Sequence, residues 1–133
     1  MKVRKAVIPS AGLGTRFLPV SKSVPKELLP ILDTPLIQYG VEEVVAAGIE
    51  HVIIVTSPGR EALEHYFRQD PVLEEQLLNS GSQELAEKIL KAPSLARFSF
   101  VAQEKPLGLG HAVLMAKDLV GDEPFVVILP DDL

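Results

Sequence analysis

Residues 6–30 read AVIPSAGLGTRFLPVSKSVPKELLP: a short apolar strand that empties into a glycine-bearing loop carrying Arg16, Lys22 and Lys26. Ala6 to Ile8 are apolar at consecutive positions, as in a strand buried on both faces, and Pro9 removes the next backbone donor. Gly12 and Gly14 let the chain turn and bring bare N–H groups to a ligand, while Thr15 adds a hydroxyl and Arg16 a planar fork of donors suited to phosphate oxygens. Pro19, Pro25 and Pro30 break the following stretch too often for a long helix, which predicts a stiff loop presenting Lys22 and Lys26.

Working outward, residues 1–26 hold six basic side chains and no acidic one, whereas the remaining chain holds seven basic and eighteen acidic residues. A basic segment on a chain of net charge −5 points to a local anion site; a nucleic-acid partner would call for a basic surface overall. Lys2, Arg4 and Lys5 read as a solvated N-terminal run, and Arg16 and Lys26 as the anion ligands. Two familiar phosphate fingerprints are absent: a dinucleotide motif starting at Gly12 needs glycine where Phe17 stands, and no Gly-Lys-Ser or Gly-Lys-Thr follows.

The stretch resembles the nucleotide-sugar pyrophosphorylase signature, a GxGTR followed by Pro-Lys-x-Leu-x-Pro, here GLGTR at 12–16 and PKELLP at 25–30. The wording GLGTRFLP, SK, VPKELLPI is similar to the bacterial UTP–glucose-1-phosphate uridylyltransferases. Ala11, where thymidylyltransferases usually have another glycine, favours the uridylyl branch. The resemblance implies uridylyl transfer from UTP to glucose 1-phosphate, giving UDP-glucose and pyrophosphate. Arg16 and the loop of Ala11, Gly12, Gly14 and Thr15 would hold the triphosphate, and Lys26 the α-phosphate region.

Composition places the rest. With 133 residues, 47% hydrophobic and 23% charged, the chain is one ordinary soluble globular domain. No run of 18 or more apolar residues and no signal peptide stand in it, which excludes a membrane span, and zero cysteines exclude disulfides and thiolate metal sites and suit a cytoplasmic protein.

Beyond the loop, Leu36, Ile37, Val41, Val44 and Val45 fall at helical spacing, with Pro35 suited to the first turn and Gly48 to the stop. Strands are predicted at 51–57, 98–103 and 124–130, and helices at 59–69 and 110–120. Strand and helix alternating at this rhythm predict an α/β doubly wound, mainly parallel sheet with helices on both faces, of Rossmann-like type. Residues 70–96, rich in Glu, Gln, Leu and Ser, depart from the rhythm and read as a helical insertion packed on the surface.

Two further groups carry chemistry. Gln103 falls at the carboxyl end of the third main strand, the edge where open parallel sheets bind ligands, and its amide matches the imide edge of a pyrimidine. Gly108 and Gly110 leave room for a base or ribose against the backbone, and the helix starting near Gly110 aims its free N–H groups to the same side. The resemblance implies that Gln103 and Gly108 hold the uracil. His111 reads as a first-turn residue without a catalytic role, and His51 and His65 as ordinary. Asp131 and Asp132 follow the apolar VVILP, at the strand edge, where carboxylates suit magnesium. By resemblance Asp131 is the magnesium ligand, while Asp132 should face the other way.

The family's proteins continue past the point matching Leu133, so the resemblance makes residues 1–133 a nucleotide-binding N-terminal part, truncated after the fourth main strand and lacking most of the sugar pocket. The fourth strand, beside the first, would then expose the apolar edge Phe125 to Leu129, which predicts self-association or a homo-oligomer. A thymidylyltransferase for the same sugar phosphate and a non-catalytic nucleotide-binding fragment are the alternatives.

Overall fold

The structure, a computed structural model, describes residues 2–12, 18–59 and 61–129. In chain order these form β1 (Lys5–Pro9), β2 (Pro30–Ile31), β3 (Thr34–Pro35), α1 (Leu36–Ala46), β4 (His51–Thr56) and α2 (Glu61–Tyr66). There follow α3 (Pro71–Asn79), α4 (Gln83–Ser94), β5 (Arg97–Ala102), α5 (Leu109–Leu114), α6 (Lys117–Val120) and β6 (Phe125–Val127). Four strands make one sheet in the order β5-β4-β1-β6, every neighbour parallel, so the fourth main strand does lie beside the first.

Alternation along the central strands builds two cores. Ala6, Ile8, Val52 and Ile54 face one side, where Ile37, Val41 and Val44 of α1 and Leu63 of α2 cover them. Val7, Ile53 and Val55 face the other side and meet Ala112, Ala116 and Val120. Because both faces are covered, Val7, Ile8 and Val52 through Val55 are all fully buried, which is why these strands read as unbroken apolar runs. Ile54→Ala would empty a site with no exposed surface and costs about 4 kcal/mol.

Several elements differ from the sequence reading. The helix expected over 110–120 is two short ones, because Ala116 N–H bonds to the Val113 carbonyl, three residues back, and tightens the chain between them. The fourth strand spans only 125–127, and Pro130 lies outside the described residues. Pro35 sits at the cap of α1, in extended backbone, and not within the first turn. Gly48, at φ 104°, follows the helix end as expected.

Residues 71–94 form two helices packed on each other, with Gly81 between them at φ 78°. The Asp70 side chain accepts from Leu73 N–H at 3.1 Å and caps α3, none of whose residues is fully buried. α4 docks through Ala86 and Ala92, and Lys91 pairs with Glu42 of α1 at 3.1 Å.

Candidate functional site

Parallel strands place their carboxyl ends along one edge, and the site lies there. Beyond β1 the Ser10 N–H donates to the Val55 carbonyl, and beyond β5 the Gln103 N–H donates to the Thr56 carbonyl, both at 2.7 Å. These bonds extend the ladder by one residue and fix where each loop departs. The hydroxyl of Ser10, itself buried, has no hydrogen-bond partner among the described residues.

A cavity of about 340 Å³ opens at this edge. Pro9, Ala11 and Gly12 line one wall, Lys26 and Glu27 another, and Gln103, Pro106, Gly108, Leu109, Ala112 and Leu129 the remainder. Residues separated by nearly a hundred positions, Gly12 and Gly108, thus meet in one hollow. A methyl group built on Gly12 or on Gly108 would touch no atom within 4 Å among the described residues, so both backbones are open to a ligand. Lys26 and Glu27 are carried by a 3₁₀ turn over 26–28, and Glu27 is buried. The segment from 18 to 29 holds only such short turns, as its prolines dictate.

Gln103 is 4% exposed and its side chain is held from two sides. Its Nε2 donates to the Gly108 carbonyl at 3.3 Å and stands 2.9 Å from His111 Nδ1. Gly108 is the N-cap of α5 at φ 97° and ψ 174°, a conformation open in practice to glycine alone.

Of the residues singled out in the sequence, Ala11, Gly12, Lys26, Gln103 and Gly108 line this cavity. Gly14, Thr15, Arg16, Asp131 and Asp132 lie outside the described residues. Lys22 goes elsewhere, to a smaller hollow of about 240 Å³ with Ser21, Pro58 and Gly59. Gly110 lines an outer groove with Val113, Lys117 and Phe125. The basic N-terminal run is not merely solvated: Arg4 and Lys5 both pair with Glu123, at 2.6 and 2.9 Å. Two residues beyond those singled out for the site also belong to its surroundings: Glu27, inside the PKELLP motif, lines the cavity, and His111, read from the sequence only as a first-turn residue, meets Gln103 across a loop, a link with no local signature.

A larger hollow, about 460 Å³, runs by β5 among Phe67, Phe98, Phe100 and Arg68. Its arginine is already tied to Glu64 one helical turn away, so the hollow lacks the converging backbone and cationic groups of the site above. Among the described residues no three acidic or histidine side chains group to hold a metal, and no helix is long and apolar enough to cross a membrane.

Residues 5–133 match the family described as nucleotidyl transferase. A UTP–glucose-1-phosphate uridylyltransferase of Bacillus subtilis is 55% identical over 132 residues, 99% of this chain and 45% of that protein. The solved UTP-bound UGPase from Acinetobacter baumannii superposes with a TM-score of 0.93 at 46% identity, over 98% of this chain and 46% of that one. A UDP-glucose pyrophosphorylase solved in complex with UDP-glucose gives 0.80 at 45% identity, over 98% and 46%. The chain therefore spans about half the length of the relatives it matches.

Proposed function

From the premise that the chain belongs to the nucleotidyl transferase family, we propose that it forms the nucleotide-binding part of an enzyme that transfers a uridylyl group from UTP to glucose 1-phosphate. One observation carries this reading: Gln103, Gly108, Gly12 and Lys26 share one cavity at the carboxyl edge of a parallel sheet. That hollow offers a pyrimidine-matching amide at one end and a glycine loop with a cation at the other.

An oxygen of the sugar phosphate attacks the α-phosphorus of UTP. The bond from that phosphorus to the bridging oxygen breaks, and pyrophosphate leaves with the electron pair. The nucleophile is already an anion, so no general base and no covalent intermediate are needed; alignment and charge stabilisation are the work. Gln103 and Gly108 hold the base, Lys26 serves the α-phosphate, and Arg16 with the loop of Ala11, Gly12, Gly14 and Thr15 serves the triphosphate.

Magnesium fits the donor chemistry. It takes one or two carboxylates and completes its shell with water and substrate phosphates. β6 runs parallel to β1 toward the cavity edge, and Asp131 follows it in sequence, so Asp131 would hold the ion. When bound, the ion neutralises charge on the triphosphate. A cytoplasmic setting suits the cysteine-free composition. β6 stands at a sheet edge with Phe125, Val126 and Val127 exposed, which supports pairing with a second copy, read out by light scattering at tens of micromolar.

The test is calorimetric titration of the folded chain with UTP, with and without magnesium, repeated on Gln103→Ala. Magnesium-dependent binding that the substitution weakens supports the reading. Binding of dTTP in preference to UTP would move the function to a thymidylyltransferase, and a folded chain that binds neither would overturn it.

A further inference from the structure

Gln103 can read a base only if its amide presents one chosen end, and the two ends are opposite in hydrogen-bonding character. Several features of the fold decide which end that is. The Gly108 carbonyl already accepts the first backbone bond of α5, from Ala112 N–H at 3.1 Å, and it can only accept. The Gln103 atom 3.3 Å from that carbonyl is therefore the nitrogen. The second proton of the same nitrogen points to His111 Nδ1 at 2.9 Å, which must then be the accepting nitrogen of a ring protonated at Nε2. Both donors of the amide are spent inside the protein, and Oε1 is the atom left for a ligand.

We propose that His111 is a positioning residue for base selection: it locks the Gln103 amide so that its oxygen alone faces the base. An amide oxygen accepts from the imide N–H of uracil and opposes the lone pair that cytosine carries at the same ring position. Without His111 the Gly108 contact is long and alone, and the amide can turn over and present its NH₂ instead. The lock spans the loop 104–108, joining a strand end to a helix's first turn, so the backbone holds both partners rigidly. Gln103 is buried, and its own N–H is fixed to Thr56, which leaves rotation of the amide as its main freedom.

This rests on the reading of Gln103 as the base-contacting residue, and the experiment separates the two. UTP and CTP are titrated against the full chain, His111→Ala and His111→Asn, the last placing a carbonyl oxygen near where Nδ1 stood. The expected result is a UTP-over-CTP preference that falls about tenfold in His111→Ala, roughly one lost hydrogen bond, and returns in His111→Asn. Nitrogen-15 spectra of the unaltered chain, which need no variant, should show the His111 ring protonated at Nε2. An equal loss of both nucleotides in His111→Ala, an unchanged preference, or a ring protonated at Nδ1 overturns the proposal while leaving the function standing. A wild-type chain that binds neither nucleotide overturns the function and this inference with it.

Discussion

Lys5 Nζ and Glu123 Oε2 stand 2.9 Å apart, joining the first residue of β1 to the turn before β6. The same ammonium donates to the carbonyls of Leu119 and Val120, at 2.9 and 3.0 Å, and so closes the carboxyl end of α6. Lys5 is therefore a structural cation, seated at the end of β1 away from the cavity. Lys5→Met should cost about 2 kcal/mol of stability by denaturant melting, since three charge-assisted contacts go at once. UTP affinity should stay unchanged. A variant of undiminished stability with weakened UTP binding would make Lys5 an anion ligand instead.

His51 lies in register between two cations, Lys5 on β1 and Arg97 on β5. Burial first, then Arg97 and Lys5, hold its pKa below the ordinary 6.5, and Glu123 opposes them. The unfolded chain thus binds the proton more readily than the folded one. Stability from this group is intact above about 6.5 and falls as pH drops through that value toward the lowered folded one. Glu123, held below 4.5 by Lys5 and Arg4, carries the same sign at lower pH: its contribution is present above the usual carboxylate value and is lost as pH falls through its lowered one. Urea melts at pH 7.5 and 5.5 therefore stay above the carboxylate window, and comparison with a His51 variant isolates this histidine. His51→Gln, which can keep the contact to Ser99 Oγ seen at 2.7 Å, should flatten the slope. The same slope in both proteins would show that His51 does not drive it.

Gly108→Ala separates backbone from ligand. At φ 97° and ψ 174° an alanine costs about 2 kcal/mol, although its methyl would touch nothing among the described residues. Because the Gly108 carbonyl also takes a proton of Gln103, the variant should lose UTP affinity as well. Melts and titrations on one sample check both, and full affinity in a destabilised variant would remove Gly108 from the nucleotide site.

The central strands were legible because burial on both faces leaves unbroken apolar runs such as Val52–Val55, and α1 because its apolar spacing and Gly48 agree. The break between α5 and α6 was not, since Ala112, Ala116 and Val120 keep a four-residue spacing straight through it. The β2–β3 hairpin was hidden by its own prolines: Pro30 pairs with Pro35, and proline argues against a strand wherever pairing is unknown. Much of the site was readable, because glycines and a lysine in loops after apolar strands gather wherever parallel strands end. The contact of His111 with Gln103 was not, as a helix's first turn does not say which neighbour its side chain meets.

Lys26 gives the sharpest division within the site. It lines the same cavity as Gln103, but from the 3₁₀ turn that follows the glycine loop, whereas the amide is fixed from β5 and α5. A cation serving charge that builds on the α-phosphate acts most strongly in the transition state, and a base contact acts equally before and during reaction. On the proposed function, Lys26→Ala should therefore lower the rate of UDP-glucose formation about 10²- to 10³-fold in an assay with UTP and glucose 1-phosphate. UTP affinity should fall only a few-fold, and the UTP-over-CTP preference should not move, because Gln103 and His111 are untouched. Gln103→Ala should do the reverse, eroding the preference first. If Lys26→Ala weakens UTP binding as much as it slows turnover, the lysine is a ground-state anchor for the triphosphate, and charge development at the α-phosphate must be met elsewhere.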